Sequence, residues 1–307
     1  MHRLIPRSLL VLSVLALLGG CSIKKMAVNS IGNGLAGSGG SFASDDDVQL
    51  VKDAIPFSLK LIESLLDMVP DNRNLLTAAC KNFTMYAYAF VEADADKLED
   101  VDYAACLKGR QRAKRLYLRA LGYGLRGLST SVKGFDPAAR KGGEDLKKAL
   151  LKTRKKDVEL LYWTGMCWAA AVNRGKDDPA LMAEIGSAGD LVFRAFDLEP
   201  DFDNGAIHSF LITWMGGRPE AMGGSKQKAK EHYERVIQLT GGLSAGPYVS
   251  WAETMSVPAQ DAADFRAVLK KALAIDPDKK PEWRLQNLIY QERARWLLSR
   301  EKDLFVD

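Results

Sequence analysis

The chain has 307 residues, 47% apolar and 27% charged, with a net charge of +4. That is apolar material for one large core or two modest ones, and no sustained apolar–polar alternation points to a sheet. Arg3 and Arg7 lie in a segment expected to be removed, which leaves the remainder near +2, too neutral to favour a nucleic-acid partner.

Residues 1–20 read as a lipoprotein signal peptide. Arg3 and Arg7 precede an apolar run over residues 9–18, which is too short to span a bilayer. Leu18-Gly19-Gly20-Cys21-Ser22 then resembles a bacterial lipobox, making Cys21 the expected lipidation site. Acyl chains at about 0.8 kcal/mol per buried CH₂ would hold the chain to a membrane. Ser22, in place of Asp, resembles the pattern of lipoproteins sorted to the outer membrane. Residues 21–44, with five glycines between Ser30 and Ser44, read as a loose tether. Residues 45–307 read as one helical domain.

Asp45, Asp46 and Asp47 place negative charge where a helix should begin. Pro56 should kink that helix or start a new one, and Pro70 should end it. A long apolar helix is expected over 72–91, with Tyr86, Tyr88 and Phe90 near its end. An acidic connection follows at 93–96, then a helix over 101–128, a loop at 134–137 and a charged helix over 142–156. Leu161, Gly165, Trp168 and Val172 share one helical face. A partner helix ends at Pro200, a further one covers 203–214, and Pro281 opens the last. The glycine-rich stretch 216–226 is not a phosphate loop, because Ser225 precedes Lys226 instead of following it. Gly217 reads as a helix end and Ser225 as the cap of the next helix.

A repeat organises these helices. Small or apolar residues recur at relative positions 0, 4 and 7, with a breaker at 12. The copies are Ser58-Ile62-Leu65-Pro70, Ala188-Val192-Ala195-Pro200, Phe265-Leu269-Ala272-Pro277 and Ala229-Tyr233-Val236-Gly241. A looser copy, Ala113-Tyr117-Ala120, has Leu125 where the breaker belongs. The offsets match the second helix of a tetratricopeptide repeat. The expected fold is all-α, built of stacked helix hairpins of degenerate tetratricopeptide-like repeats; an ordinary helical bundle is the alternative.

Catalytic patterns are absent. His208 and His232 lie in no His-Glu-x-x-His string, and neither a Gly-x-Ser-x-Gly elbow nor zinc-type cysteine spacing occurs. No enzyme and no cofactor are expected. Cys80, Cys106 and Cys167 give no paired framework and read as core. The basic stretches at 110–115 and 152–156 read as solvated faces, with an anionic partner the lesser reading.

Several strings, taken together, identify a family resemblance. They are Phe42-Ala-Ser-Asp-Asp46, Ile55-Pro-Phe-Ser-Leu-Lys60, Leu116-Tyr-Leu-Arg-Ala120, Leu161-Tyr-Trp-Thr-Gly165, Asp203-Asn-Gly-Ala-Ile-His208, Met222-Gly-Gly-Ser225 and Pro281-Glu-Trp-Arg-Leu-Gln-Asn287. The chain resembles the T-component lipoproteins associated with tripartite ATP-independent periplasmic (TRAP) transporters. The resemblance implies a periplasm-facing helical repeat protein that forms trimers and binds the transporter's solute-binding subunit. It also implies a cleft or pore for a small hydrophobic ligand.

The residues expected to line such a cleft are Trp163, Trp168, Trp214 and Tyr248, with the polar Asn204, His208, Arg284 and Asn287. The competing reading places the tryptophans in the core, above all Trp168. The alternative function is an envelope adaptor that binds other proteins and no small molecule.

Overall fold

A computed structural model describes residues 26, 28–30, 32, 34 and 40–306. The signal peptide and Cys21 lie outside these residues. Among the described residues there are helices and turns but no strand. No helix is long and apolar enough to cross a membrane.

Helix starts follow the short polar residues. α1 (Val48–Met68) is capped by the Asp47 side chain, which accepts from the Leu50 N–H, and α2 (Arg73–Tyr86) by Asn72 in the same way. α1 runs unbroken through Pro56, against expectation. Proline forfeits one backbone bond there, while Val51, Leu59, Ile62 and Leu66 bury the same face on both sides of it. α2 continues into a π-helical segment, Ala87–Glu92, and a last turn, Ala93–Asp96.

α3 (Tyr103–Ser131) extends past Leu125, where the loosest repeat copy lacks its breaker. The loop expected at 134–137 is instead the start of α4 (Phe135–Lys141), held by the fully buried Phe135. The charged helix expected over 142–156 stops early: α5 (Gly143–Leu150) gives way to a turn in which Thr153 and Asp157 are buried.

The chain continues through α6 (Val158–Asn173), the short α7 (Pro179–Ala183) and α8 (Ile185–Leu198). α9 (Phe202–Gly216) and α10 (Lys226–Thr240) follow, then α11 (Gly246–Trp251) with a second π segment, Ala252–Ser256. α12 (Ala262–Leu273) and α13 (Arg284–Ser299) complete the body.

Four hairpins emerge, α2/α3, α6/α8, α9/α10 and α11/α12, with α3 also packed on α6. Four of the five repeat copies lie on these hairpins, while Ser58-Ile62-Leu65 lies on α1, outside them, with Ser58 and Leu65 half-buried. Ala113, Tyr117, Ala120, Ala188, Val192, Ala195, Phe265, Leu269 and Ala272 are all fully buried. Gly165 sets the spacing of α6 and α8, since a Cβ there would come within 2.5 Å of Val192 Cγ2 and 2.8 Å of the Ala188 carbonyl.

The hairpins divide between a large core and a smaller C-terminal one around Phe265, Leu269 and Leu297. α13 covers the smaller core, where the Gln291 amide donates to the Ala272 and Ile275 carbonyls at 3.1 and 2.7 Å. It then returns to the first half of the chain. Its Tyr290 meets Tyr88, its Arg293 meets Asp96 and its Glu292 meets Lys97. The stack of hairpins therefore closes on itself.

Candidate functional site

The closure is made by charged and phenolic side chains on the two π segments and α13. A π turn inserts one extra residue and redirects the side chains after it, a distortion common at functional sites. In the first segment, Glu92 accepts from the Tyr117 hydroxyl at 2.6 Å and from Arg174 Nε at 2.8 Å. One turn on, Asp96 Oδ1 accepts from Arg110 Nη2 at 2.8 Å, and Oδ2 from Arg293 Nη1 at 3.2 Å. Arg293 also donates to Glu253, on the second π segment, from Nε at 2.9 Å and Nη2 at 2.7 Å. Burial alone would lower Arg293, but the Glu253 carboxylate and its neighbours hold the guanidinium above its ordinary range.

Tyr88 and Tyr290 stand beside this chain of ion pairs, their rings 6.3 Å apart. Tyr88 is pushed well up by Tyr290 and then by burial. Yet it is 42% exposed. Tyr88 is thus a partly open phenol at the edge of this cluster, against Tyr290. Burial likewise raises Tyr290, and burial with Tyr290 and Asp203 nearby raises Tyr162. All three are neutral phenols, able to donate a hydrogen bond, at any physiological pH.

Asp203 belongs to a strained turn. The helix expected over 203–214 is right-handed only from Ala206. Asp203, Asn204 and Gly205 have φ values of 47°, 54° and 92°. Asp, Asn and Gly tolerate this left-handed geometry, which most residues do not. The turn feeds His208, whose Nδ1 lies 2.9 Å from His232 Nδ1 on α10. Such a contact requires one ring nitrogen to carry a hydrogen and the other to lack it. Burial lowers both imidazoles, His232 to about 4. His208 Nε2 faces Asp201 at 3.4 Å without hydrogen-bond alignment.

The eight residues expected to line one cleft are dispersed. Trp168 is fully buried, its Nε1 donating to Glu184 at 2.8 Å. Trp214 is buried against Phe193 and Phe210, under the Arg218 guanidinium. Tyr248 packs on Tyr233 in the C-terminal core. Asn287 is a buried clamp that accepts from the Ala245 N–H at 2.9 Å and donates to the Leu243 carbonyl at 3.0 Å. Arg284 donates to the Ser44 carbonyl and pairs with Asp278.

Asn204 is exposed one turn from His208, and Trp163 is half-buried on the edge of Tyr162. Through Tyr162 and Asp203 these last positions approach the Tyr88–Tyr290 pair. The polar residues of this closure, Tyr88, Glu92, Asp96, Glu253, Tyr290 and Arg293, were missed by sequence reasoning. One signal was available, since Glu92 and Glu253 interrupt apolar runs.

Cys80, Cys106 and Cys167 are free and buried. Among the described residues no group of metal-ligating side chains is assembled. Two shallow cavities, of about 310 and 420 Å³, share no residue with this cluster or with the eight expected positions.

The chain is 32% identical over 306 residues to an uncharacterised protein of Treponema pallidum (strain Nichols), covering 95% of each chain. The model of one family, the TRAP transporter T-component, matches residues 44–305. That span contains every hairpin and both π segments, and the chain belongs to the TRAP transporter T-component family.

Proposed function

We propose that the protein is a non-catalytic lipoprotein, anchored through Cys21 and facing the periplasm. It binds a TRAP transporter's solute-binding subunit and holds a small hydrophobic ligand beside Tyr88, between the two π segments. The observation that carries the ligand reading is Tyr88, a 42% exposed phenol beside Tyr290 and the Glu253–Arg293 pair. Phenols beside a neutralised ion pair suit an uncharged or amphipathic solute: the Glu253–Arg293 pair leaves little net field for a bare ion. Membership of a transport-accessory family supports the partner. The trimeric state and an outer-membrane location belong to the same proposal.

Native mass spectrometry of the delipidated protein tests the ligand. A small molecule should co-purify, and Tyr88→Ala should weaken its retention about tenfold, the scale of one lost hydrogen bond and its contact. Bare protein from several growth conditions would favour the adaptor reading instead. Affinity capture of the tethered protein after mild crosslinking tests the partner, which should appear as a periplasmic solute-binding subunit.

A further inference from the structure

Charge is unevenly placed along this chain. Residues 126–156 carry ten basic and three acidic side chains, a net +7, against +4 for the whole protein. Much of it gathers at one end. A shallow cavity of about 310 Å³ beside α4 and α5 is lined by Lys133, Lys141, Lys148 and Lys152, with Asp145 as its acid. Asp145 is already paired with Lys141, and among the described residues Lys133, Lys148 and Lys152 form no ion pair. Leu151, next to Lys152, is 76% exposed. An exposed apolar side chain beside uncompensated lysines is well matched to a surface both anionic and apolar.

The chain's N-terminal segment enters the body at this same end. Val28 is buried in the large core, Asn29 accepts from the Asn72 amide at 2.6 Å, and Gly32 lies against Leu75. Part of the stretch expected as loose tether thus rests on the start of α2. That start is tied to the basic region: Arg126 donates to the Pro70 carbonyl at 2.8 Å, and Arg73 donates to the Lys156 carbonyl at 3.0 Å. Seven peptide links join Cys21 to Val28, a reach of roughly 25 Å at full extension.

We infer that the lysine-lined face of α4 and α5 docks on an anionic phospholipid bilayer and orients the body against the membrane that holds the chain. The orienting role rests on the proposed acylation of Cys21; the affinity for acidic lipid does not. The favoured occupant is a bilayer and not an acidic protein because the face adjoins the entry point of the segment that would carry the anchor.

The test uses the chain from residue 21 onward with Cys21→Ser, which has no acyl group, so that docking and anchoring can fail separately. It should sediment with vesicles containing phosphatidylglycerol, not with pure phosphatidylcholine, and be released by salt. Lys133→Gln/Lys148→Gln/Lys152→Gln should weaken that binding about a hundredfold, from the loss of three lysines near an anionic surface. Lys226→Gln/Lys228→Gln/Lys271→Gln, an equal loss of charge elsewhere, should leave it nearly unchanged. Equal loss in both triple variants, or no vesicle binding even at low salt, would overturn the inference. So would capture of an acidic protein on this face without vesicle binding. Labelling of the unmodified chain with radioactive palmitate reports on Cys21 independently.

Discussion

Single residues in this protein separate into those that hold the fold and those poised at an opening. Trp168 is fully buried with its indole N–H satisfied, so Trp168→Ala should cost about 3–5 kcal/mol, measured as a lower urea midpoint. Asn287→Ala leaves a buried N–H and a half-buried carbonyl without partners and should cost about 1–3 kcal/mol. Tyr88→Ala, at a side chain already 42% exposed, should barely move that midpoint. A large shift there would place Tyr88 in the core and argue against a ligand beside it.

The histidine pair predicts a pH dependence. His232 is lowered from 6.5 to about 4, so the unfolded chain takes up its proton first as pH falls. Its contribution is complete above pH 6.5 and is lost as pH falls towards 4. Urea midpoints of the wild type should therefore drop more between pH 7 and pH 4.5 than those of His232→Phe. Parallel curves would show that the pair is not coupled to folding.

Helices in this protein meet through small residues, and the repeat records which ones. Gly165 illustrates the constraint: Gly165→Ala gains helix propensity but drives a methyl into Val192 and the Ala188 carbonyl. The net cost should be about 1–2 kcal/mol, because overpacking outweighs propensity. Gly186→Ala, with open space around its Cβ on the same hairpin, should be neutral or stabilising. If both variants unfold at the same denaturant concentration, the close α6/α8 contact is not what fixes the spacing. The helices also show how packing corrects local preference, since α1 passes through Pro56 to keep one buried face whole and α4 forms where turn residues suggested a loop.

At the scale of the whole molecule, the return of α13 to the first π segment ties the C-terminal core to the large one. Arg293 is the most connected of these ties, holding Asp96 and Glu253 together. Arg293→Ala should cost about 2–3 kcal/mol, less than a fully buried pair because the side chain keeps some solvent contact. It should also split unfolding into two transitions that circular dichroism and fluorescence report at different urea concentrations. A single coincident transition would show that the cores are coupled through other contacts.

The sequence by itself determined the class of fold and the order of its hairpins. Spacings such as Ala188-Val192-Ala195 encode which helix face must be buried, and Pro200, Pro277 and Gly241 stop the chain wherever they fall. These are local properties, carried by residues a few positions apart. Which residues share a site was not local. Tyr88 and Tyr290 stand far apart in the chain and meet because the hairpin stack closes, while Trp168, Tyr248 and Asn287, plausible cleft residues by composition, were drawn into cores and clamps. Only the tertiary structure decided that, because a side chain's exposure and its charge partners depend on the sum of all helix packings, which no single periodicity records.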